Sequence, residues 1–123
     1  MMEDLLNELE RLKAHFDDIE QEREKAYSTM RELRRMSTKL VRDIQRDQAD
    51  DYEKTIAECR VLAVKLSGAR YQFGFIEEAL MEYSEAALTY SFMHDLPAPS
   101  VADLGCTERS YLMGLSDAIS ELR

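Results

Sequence analysis

Glycine and proline are scarce in this 123-residue chain, with four of the first and two of the second. None of either precedes Gly68. A stretch that long without turn residues cannot be cut into the short strands of a sandwich or barrel, and no alternating pattern appears elsewhere, so the chain reads as all-α. Also lacking is any apolar run near the ~18 residues that a membrane-spanning helix needs, and no signal-peptide pattern is visible. Cys59 and Cys106 fit no metal-binding spacing, and thiols in a helical protein are most often small buried hydrophobes. Together these absences point to a cytoplasmic, reducing setting. Positive charge is short as well, with 16 Lys and Arg against 25 Asp and Glu, a net charge of −9. Such a surface repels a phosphate backbone in general and counts against generic DNA binding. It leaves room for RNA in a local basic groove, or approached through a divalent cation.

The residues present organise a helical protein. Leu5, Leu9, Leu12, Phe16, Ile19, Ala26, Met30, Leu33, Leu40 and Ile44 alternate by fours and threes, interrupted at Arg23 and Ser37. Unbroken from Glu3 to Arg46, that helix would run roughly 66 Å at about 1.5 Å per residue. It would overhang any core of this size and call for partners. Asp47 to Asp51 reads as a turn, with Asp50 or Asp51 as N-cap of a second helix from Tyr52 to Leu66 that Ser67-Gly68 closes. A third helix is predicted from Arg70 to Met93, stopped by Pro97 and Pro99. After a turn over Ser100 to Gly105, Thr107 caps a last helix through Leu122, with Tyr111, Leu112, Leu115, Ala118, Ile119 and Leu122 as its buried face. The whole chain, 1–123, reads as one domain: a long first helix followed by an antiparallel bundle.

Two acidic pairs and one basic row are the chemical candidates. Glu82 and Glu85 lie three apart, and Asp117 and Glu121 four apart, so each pair shares a helix face, roughly opposite that helix's apolar stripe. Four carboxylates from two neighbouring helices suit Mg2+ or Mn2+. A solvated acidic face has the same pattern. Arg35, Lys39, Arg42 and Arg46 follow one another along a face of the first helix, either as an RNA track or as a solvated face paired with Glu32 and Asp43. Lys65 and Arg70 are further basic candidates. Tyr71, Phe73 and Phe75 are either base-stacking or core aromatics.

The segment from Leu80 to Ala87, Leu-Met-Glu-Tyr-Ser-Glu-Ala-Ala, resembles the first signature of translin-associated factor X and its archaeal relatives. Tyr111 to Leu122 is similar to that family's second signature, where an aspartate and a glutamate four residues later follow tyrosine, leucine and glycine. Arg35 to Arg46 resembles the basic end of the family's first helix, and the likeness extends from about Glu20 to Arg123. Met81, Ser84 and Ser120 depart from the usual glutamine, valine and glycine. The resemblance implies a translin-like fold, a single-stranded RNA ligand (with single-stranded DNA the alternative) and a homo-oligomer. It further implies a Mg2+- or Mn2+-dependent endoribonuclease site at Glu82, Glu85, Asp117 and Glu121. Translin itself lacks the aspartate, so Asp117 puts the chain on the catalytic side. Relatives carry further helices, so the resemblance also implies either a chain truncated at its C-terminus or an unusually short family member. The rival reading is a non-catalytic helical assembly protein that acts through its coiled-coil-like first helix.

Overall fold

In the computed structural model, which describes residues 1–47 and 51–122, five helices and no strand occur among the described residues. They are α1 (Met2–Arg46), α2 (Tyr52–Ser67), α3 (Gly74–Met93), α4 (Val101–Leu104) and α5 (Glu108–Glu121). The expected long first helix is therefore present, followed by shorter helices packing together. Of the predicted turn, residues 48–50 lie outside the described residues, as does Arg123. Asp51 is the N-cap of α2, accepting from the Lys54 amide at 2.9 Å. The third helix begins at Gly74 rather than at Arg70. Gln72 Nε2 instead donates to the carbonyls of Leu66 and Ala69, folding the segment back on the end of α2.

Helix α3 is the centre. Ile76, Ala79, Leu80, Tyr83, Ala86, Ala87 and Leu88 are all essentially inaccessible, which leaves little of its circumference to water. Helices α1, α2 and α5 all pack on it, and α1 packs on α2 as well. The Tyr83 hydroxyl crosses the core to donate to the Leu104 carbonyl at 2.8 Å, so burial pushes that phenol's pKa upward without leaving it unsatisfied. Cys59 is buried and free, and burial raises its thiol to about 11. Ser37, the polar break in the α1 stripe, is buried opposite that thiol.

Only the later part of α1 belongs to this core. Its buried residues are Ala26, Met30, Leu33, Ser37, Leu40 and Ile44. Asp18 is tied to the α2–α3 segment by Arg70 at 2.9 Å and by the Tyr71 hydroxyl at 3.3 Å. The preceding 16 residues, roughly 24 Å of helix, project beyond the body with Leu5, Leu9 and Phe16 more than half exposed.

Candidate functional site

The face that α5 turns to α3 overlaps only in part, at Ala118, with the one its apolar pattern suggests. Ser110, Gly114 and Ala118 are buried, while Leu112, Ile119 and Leu122 are exposed. Three small residues at intervals of four allow very close approach. A Cβ on Gly114 would lie 2.8 Å from the Glu85 amide nitrogen, 2.8 Å from Ser84 Cβ and 2.9 Å from the Met81 carbonyl oxygen. A leucine face could not come so near, which is why the small stripe wins this interface. Ser84 keeps its own hydroxyl satisfied on the Leu80 carbonyl at 2.8 Å. At the other end, Thr107 caps α5 in a capping box with Ser110 and donates to Glu77 Oε1 at 2.6 Å, fixing the register of α5 against α3.

That register decides the acidic site. Asp117 and Glu121 follow Gly114 by three and seven residues, on the edge of the same helix face, and Gly114 lies against the backbone of Glu85. Glu85 is thereby brought within electrostatic range of both carboxyl groups. Burial pushes the Glu85 carboxyl up, and the charges of Glu121 and Asp117, a hydrogen bond with Glu121 and the charge of Glu82 push it further, to about 7. Asp117 and Glu121 are exposed. Glu82 and Glu85 are half-buried rather than opposite an apolar stripe, because α3 has contacts on nearly every side.

Glu82 is turned toward α1. Arg34 forks onto it, with Nε 3.1 Å from Oε2 and Nη2 3.0 Å from Oε1. Among the described residues no three carboxylate, histidine or cysteine side chains, Glu85, Asp117 and Glu121 included, are arranged as they stand to hold one metal ion. The donor chemistry suits a hard cation, but four-carboxylate ligation requires Glu82 to leave Arg34.

The basic row lies on the outer face of α1. Arg35 is paired with Glu32 at 2.6 Å and Lys39 with a half-buried Asp43 at 4.0 Å, both within the helix and with both cations exposed, as the solvated-face reading expects. Arg46 is exposed in the last turn, where a cation complements the helix dipole. Arg35, Lys39 and Arg42 also line an open groove of about 540 Å³ together with Tyr27, Arg31 and Arg34. Arg31 extends the 35–39–42–46 spacing by one further step of four, whereas Arg34 sits off it and joins this groove to the acidic site. Lys65 lines a separate groove with Lys25, and Arg70 is committed to Asp18. Phe73 and Phe75 stack on each other at 5.5 Å and, with Tyr71 beside Phe73, pack as part-buried aromatics at the rim of the core rather than as a base platform.

A pH dependence follows from Glu85. Its native carboxyl holds a proton more tightly than an ordinary carboxyl, whose value is 4.5. The native state therefore binds more protons than the unfolded chain between 4.5 and about 7. The stability it contributes is complete below that window and is lost as pH rises through it. Thermal melts in chelator should show this decline, and Glu85→Gln should flatten it. An unchanged slope in the variant would mean that the carboxyl is not raised.

No family model, curated protein or solved structure matches the chain in comparisons with known proteins. Among the described residues, no helix is long and apolar enough to cross a membrane.

Proposed function

We propose that this chain is a translin-like subunit that binds single-stranded RNA along the cationic face of α1. On this reading it hydrolyses RNA phosphodiester bonds with Mg2+ or Mn2+ held by Glu82, Glu85, Asp117 and Glu121. The observation that carries the proposal is the small-residue contact at Gly114, which brings Glu85 within electrostatic range of Asp117 and Glu121, beside a Glu82 that Arg34 connects to the basic groove. Crowding like charges there disfavours the metal-free state, and a divalent cation would offset that repulsion. Bound there, such an ion supplies Lewis acidity and an activated water. Glu85 gives up its proton on becoming a ligand, so metal uptake near neutral pH should release protons. Arg31, Arg34, Arg35, Lys39 and Arg42 hold the phosphates on either side without reading bases. This activity belongs in the cytoplasm, where RNA and reduced thiols coexist. The direct test is cleavage of a fluorescent RNA oligonucleotide with manganese and with chelator. Cleavage that ignores the chelator, or none at all, would remove the metal-dependent reading.

A specific observation also favours assembly. The projecting part of α1 exposes Leu5, Leu6, Leu9 and Phe16, and α5 exposes Leu112, Ile119 and Leu122, two apolar faces without a partner in the single chain. We expect homo-oligomers at micromolar concentration by light scattering. Replacing Leu9 and Phe16 with glutamate should lower the mass. A monomeric wild type would rule out self-association and the helical-assembly reading based on it.

A further inference from the structure

Arg34 belongs to both halves of the surface, and its pairing is unlike that of its neighbours. Arg35 and Lys39 are paired within their own helix, at three- and four-residue spacing. Arg34 reaches from α1 to α3 and closes a two-pronged contact on Glu82. Its side chain nevertheless remains 45% exposed and lines the open groove beside Arg31, Arg35, Lys39 and Arg42. The planar fork that fits a carboxylate fits a phosphate equally well.

We propose that Arg34 is a phosphate ligand held in reserve, exchanging Glu82 for a phosphate of single-stranded RNA laid along the α1 groove. The exchange trades one fork-on-anion contact for another, so it needs no loss of hydrogen bonding. It also frees the Glu82 carboxylate at the moment RNA arrives. Glu82 is thus a built-in competitor that holds down RNA affinity in the free protein. The inference rests on the RNA reading given above, but not on a metal.

The test is a double-mutant cycle on RNA binding, in chelator, by fluorescence anisotropy of a labelled single-stranded RNA over a range of salt. Glu82→Gln should raise affinity by about tenfold, the order that one charge-assisted hydrogen bond carries. It should steepen the salt slope by about 0.7, the contribution of one further phosphate on a single strand. Arg34→Gln should lower affinity, and adding Glu82→Gln to it should restore almost nothing. Glu78 is an exposed carboxylate that Arg34 also senses through its charge, without a hydrogen bond. Glu78→Gln therefore removes the same charge, and its smaller effect should survive in the Arg34→Gln background. Should Glu82→Gln fail to fold, Glu82→Asp keeps the charge but shortens the reach, and should also raise affinity. Equal effects from the Glu82 and Glu78 variants, each additive with Arg34→Gln, would overturn the proposal and leave RNA binding intact. Wild-type protein that binds no RNA, or binds it without regard to salt, would overturn the RNA reading and this inference with it.

Discussion

Asp117→Asn is expected to abolish manganese-dependent RNA cleavage while leaving the chelated protein at least as stable as the wild type. Asp117 is exposed, so its carboxylate has no packing role to lose. Its charge helps push the Glu85 carboxyl up, so removing that charge relieves repulsion in the metal-free state. With manganese present the sign reverses. A ligand at ~100 times its dissociation constant stabilises the wild type by about 2.7 kcal/mol, several degrees in Tm. The variant should lose most of that gain. Cleavage should fall by at least about a hundredfold, the upper end of what removing even a group that only orients a metal ligand costs. Glu85→Gln should behave alike, and the double variant should be little worse than either single one, because members of one site are not additive. Manganese that leaves the wild-type Tm unchanged would return all four acids to a solvated acidic face. A fully active Asp117→Asn protein would remove that residue alone from the site.

Gly114→Ala tests the packing that assembles the acids. The added Cβ meets the Glu85 amide nitrogen and the Met81 carbonyl oxygen, backbone atoms of α3 that cannot swing aside as a flexible side chain would. Overpacking of this kind costs about 1–3 kcal/mol, while alanine regains up to about 1 kcal/mol of helix propensity. A net loss of roughly 1–2 kcal/mol is expected in denaturant titration. The larger consequence is at the site. Displacing α5 outward carries Asp117 and Glu121 away from Glu85, whose carboxyl should fall back toward the ordinary range when followed by NMR titration. A variant as stable as wild type, with an unaltered Glu85, would show that the close contact does not set the site.

The contrast between the two ends of the acidic site shows how far the sequence could be read. Spacing alone places Glu82 with Glu85, and Asp117 with Glu121, because a helix repeats every 3.6 residues whatever surrounds it. The same periodicity puts each pair roughly opposite its helix's apolar stripe, whereas the structure half-buries Glu82 and Glu85 on the crowded central helix. In α5 the pattern of Tyr111, Leu112, Leu115, Ala118, Ile119 and Leu122 points to a buried apolar face, and the structure corrects half of it: Ala118 is buried and Tyr111 and Leu115 half-buried, but Leu112, Ile119 and Leu122 are exposed. The Ser110-Gly114-Ala118 stripe was equally visible, but only the presence of Ser84 and the bare α3 backbone opposite makes it the better interface. Arg34 was invisible as a site residue for a similar reason. Its partner is 48 positions away, and no local rule couples them.

What the sequence determined by itself is what local physics decides. The four-three apolar alternation from Leu5 to Ile44 predicts a long helix, the stripe from Ala26 to Ile44 selects its buried face, and Asp51 and Thr107 set helix starts through their own side chains. Only the tertiary structure decided that the early part of α1 overhangs, that α5 docks through its small residues, and that Glu82 turns to Arg34 while Glu85 is pressed toward Asp117 and Glu121. Those outcomes depend on which faces can pack closely against one crowded central helix, and at Gly114 it is the missing side chain that permits the contact.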